Sequence, residues 1–178
     1  MQSLQRLRAL IDQLPARLTN LSDDQVQRKP SSSQWSLKEE LGHLLDSAAN
    51  NHQRIVRTQL EDNPAMPEYD GDKWVTLHRY QDRDWSSLIA IWVGLNRQLL
   101  AAAEAVPESA WSMTCTIADS APLTLQFVFD DYLDHMMQHL RHMGVEADDL
   151  AAASAGAPEA VPLQSLLLAV AKTDGQFS

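Results

Sequence analysis

Apolar residues recur every three or four positions in four separate stretches of the chain, which is the period of an amphipathic helix. Three of these stretches cover about 4–18, 37–60 and 124–143. The cleanest stretch repeats at spacings of 3, 4, 3, 4, 3 and 4 through Trp85, Leu88, Trp92, Leu95, Leu99, Ala102 and Val106. The pattern predicts an all-α protein, a four-helix bundle with a long crossover between helices 2 and 3.

Local signals mark where these helices begin and end. Ser36 followed by Glu39 is a capping box, and it predicts a sharp start for the second helix. Gly144 is placed to cap the end of the fourth helix. Pro15 lacks a backbone N–H, so we expect the first helix to kink or end near it.

The segments between and after the helices complete the predicted architecture. Residues 63–82 form a connection longer than an ordinary loop, which is expected to cross one end of the bundle. Alternating apolar residues in 111–123 predict a short hairpin before helix 4. We therefore predict one domain over 1–144, followed by an Ala-rich C-terminal extension over 145–178 that contains a short helix.

Composition narrows the classes of function. The 178 residues include 14 Lys and Arg against 24 Asp and Glu, a net charge of −10. That balance argues against a partner that is nucleic acid or an anionic membrane, because both need clustered cations. The single cysteine, Cys115, excludes an intramolecular disulfide and an all-cysteine zinc site. Neither a secretory signal nor a membrane-spanning apolar run is seen, so a cytoplasmic location is expected.

His135 and His139 are the most informative histidines. Four residues advance an α-helix by about 400° and about 6 Å, so both imidazoles share one face and can reach one metal ion. Both also continue the apolar seam of the fourth helix, which places them at the edge of the packed interior or within it. Such pairs also arise by chance on many helices, and two ligands do not make a catalytic site.

His43 is the best candidate for a third ligand. It belongs to a polar stripe on the second helix, and the stripe consists of Glu40, His43, Ser47, Asn50 and Arg54. The stripe is either a solvated face or the lining of an internal cavity opposite the histidine pair. Further candidates for supporting the metal or binding substrate are Asp46, Ser47, Asn50, Arg54, Tyr132 and Arg141. The remaining histidines, expected to be surface or local hydrogen-bonding residues, are His52, His78 and His142.

Three segments, in this order and at these separations, resemble the DinB-like superfamily. They read WSLKEELGHLLDSAANNHQRI over 35–55, PEYDGDKW over 67–74 and DHMMQHLRHM over 134–143. The sequence is most similar to the YfiT-like branch of metal-dependent hydrolases and to the related bacillithiol transferases. The resemblance covers about 1–144 and implies a homodimeric four-helix bundle. It also implies a divalent ion held by residues that match His43, His135 and His139 here.

The resemblance and the histidines together favour an enzyme that acts on a small molecule. Zn, Ni, Fe, Co or Mn would fit three neutral imidazoles, with a bound water giving hydrolysis or a bound thiolate giving thiol transfer. The resemblance favours transfer of a low-molecular-weight thiol to an electrophile, with Arg54 or Arg141 as the contact for an anionic thiol. Two alternatives stay open. One is a non-catalytic metal-binding stress-response bundle with Asp46 or Glu40 as a fourth ligand. The other is a metal-free bundle in which the histidines bond to each other and to Tyr132.

Overall fold

The computed structural model describes residues 2–145, so the predicted short helix of the C-terminal extension lies outside the described residues. The helices are α1 (Gln2–Thr19), α2 (Asp23–Gln27), α3 (Leu37–Thr58), α4 (Gly71–His78), α5 (Trp85–Glu104) and α6 (Leu125–His142). The strands are β1 (Ala65–Met66), β2 (Thr114–Ile117) and β3 (Leu123–Thr124). Helix α3 packs against α5 and α6, and α1 packs against the same two helices. The predicted four-helix bundle is therefore confirmed.

The capping signals act as the sequence predicts. The Ser36 hydroxyl accepts the Glu39 N–H at 3.3 Å, and the Glu39 carboxylate accepts the Ser36 N–H at 2.9 Å. At the end of α6, Gly144 adopts φ 75°. The Val145 N–H then reaches back to the Leu140 carbonyl at 2.9 Å, which is the long hydrogen bond of a Schellman motif. These caps fix the ends of the two helices that carry the candidate histidines.

Helix α1 does not end at Pro15 but continues through it to Thr19. Leu14 and Leu18, on either side of the proline, are completely buried. The Leu18 carbonyl also accepts the Trp85 indole N–H at 2.9 Å. Tertiary packing thus outweighs the hydrogen bond that a proline removes from a helix.

A small three-stranded sheet closes one side of the bundle. The predicted hairpin forms by antiparallel pairing of β2 with β3, with Cys115 opposite Leu123. Strand β1, which was not predicted, pairs parallel to β2 with Ala65 opposite Thr116. The sheet therefore fastens the start of the long connection to the hairpin that precedes α6.

The long connection also contains α4 and a 3₁₀ turn over Tyr80–Asp82, and it packs closely on α3. A Cβ added at Gly42 would lie 2.2 Å from the ring of Tyr80, so only a glycine permits this approach. The Tyr80 hydroxyl donates to the buried carboxylate of Asp46 at 2.7 Å. This contact holds the connection over the part of α3 that carries His43.

The interior is apolar and follows the seams read from the sequence. Its largest fully buried side chains are Trp92, Tyr132 and Phe129, contributed by α5 and α6. Among the described helices, none combines the length and the apolar character needed to cross a bilayer.

Candidate metal centre

Helices α3 and α6 bring three imidazoles together between them. The Nε2 atom of His135 lies 3.1 Å from Nε2 of His43 and 3.1 Å from Nε2 of His139. One nitrogen from each ring lies within 4.8 Å of the other two. His43 is buried and the other two rings are half-buried at the boundary of the core. The polar stripe of α3 thus includes a residue that faces the histidine pair.

The spacing of these nitrogens suits a single divalent ion. Zinc binds imidazole nitrogen at about 2.0–2.1 Å, and two such bonds about 100° apart place the nitrogens about 3.1 Å apart. Three neutral rings hydrogen-bonded to one another would satisfy this geometry less completely than a cation would. Nδ1 of His139 lies 2.6 Å from the Glu40 carboxylate, which accepts a hydrogen bond from it and leaves the Nε2 of a neutral tautomer as a lone pair. A single Nε2–H on His135 can serve only one of its two neighbours well, whereas a cation satisfies all three nitrogens.

The surroundings keep these rings in the form that binds metal. Burial, together with the nearby His139 and His135, lowers the pKa of His43 to about 3. Burial and the proximity of His139 lower the pKa of His135 to about 4. Both rings are therefore neutral near pH 7, and neutral imidazole is the ligand form.

These pKa values predict that the ion-free protein loses stability as the pH falls from about 6.5 towards about 4. Unfolded imidazoles take up a proton near a pKa of about 6.5, whereas folded His43 and His135 do so only near about 3 and about 4. In this window the unfolded state binds more protons than the folded state, so the free energy of unfolding becomes smaller as the pH is lowered. Urea unfolding of chelator-treated protein at several pH values measures the slope of the unfolding free energy against pH. His43→Gln should reduce that slope, and an equal slope in this variant would contradict the assignment.

Glu40 fixes the orientation of His139. Its Oε2 lies 2.6 Å from Nδ1 of His139, and its other oxygen lies 3.8 Å from Nδ1 of His142. A carboxylate on the far nitrogen of a ligating histidine sets the tautomer and raises the basicity of the near nitrogen. Glu40, His139 and His142 also make up a second set of donor atoms within 4.8 Å of one another. The sequence placed Glu40 on the polar stripe, but it did not predict this contact.

His43 is covered by the start of the long connection. A Cβ added at Gly71 would lie 2.9 Å from Cε1 of His43, so the backbone of α4 passes directly over the ring. The Trp35 ring lies 4.9 Å from His43 and stacks on His139 at 6.1 Å. The buried Nδ1 of His43 has no hydrogen-bond partner among the described residues. These contacts cover part of the rings of His43 and His139.

Three of the predicted supporting residues lie close to this cluster or to the cleft beside it. The Ser47 hydroxyl is 3.5 Å from Nδ1 of His135. Nη1 of Arg54 donates to Oδ1 of Asn51 at 3.3 Å. The Tyr132 hydroxyl donates to Asn96 at 2.5 Å and so is not bonded to the histidines.

The other three predicted residues have different surroundings. The Asp46 carboxylate accepts from Tyr80 and lies 2.9 Å from Nδ1 of His78, and burial raises the pKa of Asp46. The Asn50 amide donates to the Asp46 carbonyl at 2.8 Å, within its own helix. Arg141 is exposed near the end of α6. Asp46 therefore serves mainly to hold the connection, with His78 as the local hydrogen-bonding residue that the sequence predicted.

Two clefts adjoin the imidazoles. One, of about 910 Å³, lies beside Glu40, His139 and Trp35. The other, of about 580 Å³, is lined by His135 and by Ser47, together with Asn51, Arg54, Glu68, Tyr69, Ile117, Ala118, Asp119, Ser120, Leu123, Asp131 and Tyr132. Burial raises the pKa of Tyr69, which therefore stays a neutral hydroxyl donor at this cleft. A small molecule can thus approach the histidine cluster from either side.

A helical bundle with a cluster of histidines able to hold a divalent ion defines the class of this protein. Comparison with known proteins then identifies its family. Residues 6–143 match the DinB superfamily, and the chain belongs to it. The family predicted from the three sequence segments is therefore confirmed.

Individual relatives agree with this assignment. The chain is 22% identical over 139 residues to "Putative metal-dependent hydrolase YfiT" of Bacillus subtilis, covering 75% of this chain and 78% of the relative. It is 31% identical over 74 residues to an Oceanobacillus iheyensis protein that is also named a putative metal-dependent hydrolase, covering 39% of this chain. The matched stretches span 43% and 41% of the length of two such Oceanobacillus proteins. The solved structure of YfiT covers 82% of this chain and 89% of its own, with a TM-score of 0.62 and 21% identity, and shares the fold.

Proposed function

We propose that this protein is a divalent-metal-dependent enzyme that transfers a low-molecular-weight thiol to a small electrophile, with its ion held by His43, His135 and His139. The observation that carries this function is the convergence of three Nε2 atoms from two helices, with separations of 3.1 Å on either side of His135. All three ligands are uncharged, so they would leave the charge of the ion available to an anionic nucleophile.

When bound, such an ion acts as a Lewis acid that lowers the pKa of a thiol or water bound to it. A free thiol has a pKa of about 8.5 and bulk water one of about 15.7, so a thiol requires a much smaller shift to ionise at neutral pH. This difference supports thiol transfer wherever a thiol can enter the cleft beside His135.

The residues around the imidazoles have separate roles in this proposal. Glu40 holds the Nδ1–H of His139 and so presents its Nε2 lone pair to the other two rings. Because Glu40 contacts the opposite nitrogen of that ring, it is poorly placed to be a fourth ligand of the same ion. That placement supports an open coordination position over the closed site of a purely structural metal. Trp35 packs against the rings of His43 and His139, and Tyr69 offers a hydroxyl donor at the cleft lined by His135.

Hydrolysis is the second candidate function, and the names of the relatives favour it. Three of them are named as putative metal-dependent hydrolases. The same three imidazoles would serve this reaction, with water in place of the thiol as the nucleophile. Two further parts of the proposal are supported by the family resemblance alone, namely a homodimer and the choice of the ion among Zn, Ni, Fe, Co and Mn.

Conjugation of thiols to an electrophile tests the first function against the second. We expect untagged protein to accelerate the reaction of a cellular thiol with an alkylating dye, to lose this activity on chelation, and to regain it when the ion is restored. His139→Ala should be inactive, whereas His52→Ala, which changes a half-exposed histidine elsewhere on α3, should retain activity. If the protein hydrolyses esters in an ion-dependent way but conjugates no thiol, its function would be hydrolysis and not thiol transfer. Failure of both reactions in ion-loaded protein would overturn the enzymatic proposal.

A further inference from the structure

The cleft beside His135 is lined by a half-buried cation, Arg54. Arg54 lies seven residues beyond Ser47 on α3, two helical turns or about 10 Å along the axis. Both residues line the same cleft of about 580 Å³, which is also lined by His135. The volume is that of a typical small-molecule site. A ligand that reaches the imidazoles therefore lies within reach of the Arg54 side chain.

The Arg54 guanidinium lacks a carboxylate partner within the described part of the chain. Its recorded hydrogen bond is to the neutral amide oxygen of Asn51 at 3.3 Å, and it forms no ion pair within 4.0 Å. Burial lowers the pKa of Arg54, which shows that its charge is partly desolvated. Asp131 and Glu68 act on the guanidinium from beyond ion-pair distance and raise its pKa, so a carboxylate brought by a ligand would supply the direct partner that Arg54 lacks.

The rim of the same cleft carries the opposite charge. Glu68 belongs to the long connection, Asp119 to the turn of the hairpin and Asp131 to α6, and all three carboxylates are exposed. They outnumber Arg54 by three to one, so the cleft would repel a ligand that carries several negative charges. A ligand whose single carboxylate points at Arg54 and whose cationic group lies at the rim would meet an opposite charge at each of its two ends.

We propose that Arg54 binds the carboxylate of the small-molecule ligand and that the acidic rim selects a ligand whose other charged group is an amine. The guanidinium offers two parallel N–H donors that match the two oxygens of a carboxylate. The inference rests on the proposed function in one respect, that this cleft is the approach to the three imidazoles. It does not depend on whether a thiol or water is the nucleophile.

Small probes that differ only in their charged groups test the contributions of Arg54 and of the acidic rim separately. We expect L-serine, with a carboxylate and an amine, to bind more tightly than 3-hydroxypropionate or ethanolamine, in chemical-shift titrations of the full chain. Arg54→Gln should weaken L-serine and 3-hydroxypropionate by about tenfold or more and leave ethanolamine unchanged. Arg54→Lys should lie between the two, because it keeps the charge but not the paired donors.

Two controls make the outcome decisive. Arg57→Gln removes an exposed cation three residues further along α3 and should leave all three affinities unchanged. Glu68→Gln with Asp131→Asn should weaken ethanolamine and strengthen 3-hydroxypropionate. Equal affinities in the wild type and Arg54→Gln, or no binding of either carboxylate probe, would overturn the inference. The probes lack a thiol, so their binding does not depend on the proposed reaction. If the protein binds them in an Arg54-dependent way but does not conjugate thiols, the result would count against the proposed reaction alone.

Discussion

Replacing His135 by alanine is expected to abolish ion binding. The variant should be less stable than the wild type when the ion is present, and at least as stable as the wild type when a chelator has removed it. Its Nε2 lies 3.1 Å from both other ligands, so the remaining pair can no longer enclose an ion. An ion present at about 1,000 times its dissociation constant stabilises the folded state by about 4 kcal/mol, and the variant should lack this contribution. In a chelator, the wild type instead retains three clustered rings without the ion that would join them. The variant has one ring fewer and should then be at least as stable.

Metal analysis and urea unfolding, each with and without chelator, measure both effects. We expect about one ion per wild-type chain and a negligible amount in His135→Ala. His52→Ala serves as the matched control, because it removes a half-exposed histidine that lies outside the cluster. A variant that is destabilised equally in both solutions would show that His135 only fills space.

Gly42→Ala is expected to lower the free energy of unfolding by about 2–4 kcal/mol. The new Cβ would lie 2.2 Å from two atoms of the Tyr80 ring, and α3 cannot retreat because Leu41 and Leu44 are completely buried. Displacing Tyr80 would break its hydrogen bond to Asp46, whose carboxylate is 3% exposed. Overpacking costs about 1–3 kcal/mol and the lost charged hydrogen bond about 1.5–3 kcal/mol, against about 1 kcal/mol gained in helix propensity.

Gly94→Ala is the control for this substitution. Gly94 also lies within a helix, but a Cβ there meets nothing within 4 Å. It should therefore leave stability unchanged or raise it by up to about 1 kcal/mol. Urea midpoints compare the two variants directly, and a stabilising effect of Gly42→Ala would refute the close approach of Tyr80.

Much of the bundle could be predicted because its long helices bury one continuous face. The second predicted helix ran to about residue 60, and α3 ends at Thr58. Strand β1 could not be predicted in this way, because two residues form a strand only by pairing with β2, about 50 positions away. Helix α4 has eight residues, too few for a periodic pattern to stand out from the connection around it.

The candidate site was predictable to a similar extent. The spacing of His135 and His139 placed both rings on one face. The polar stripe of the second helix made His43 the candidate third ligand, and the family resemblance supported that choice. Their role as ligands stays a prediction, although the nitrogens converge. Which carboxylate would support them was not predictable, because helix rotation decides it. That rotation gives His139 the carboxylate of Glu40, while Asp46 contacts the connection.

The two helices that supply the imidazoles are far apart in the chain, and His43 and His135 are 92 positions apart. During synthesis, a chain from which α6 has not yet emerged offers one ring of the three. Tight binding of the proposed ion would therefore wait for α6, and such an ion would not template the earlier stages of assembly. Uptake of the ion would then indicate that α6 has packed against α3.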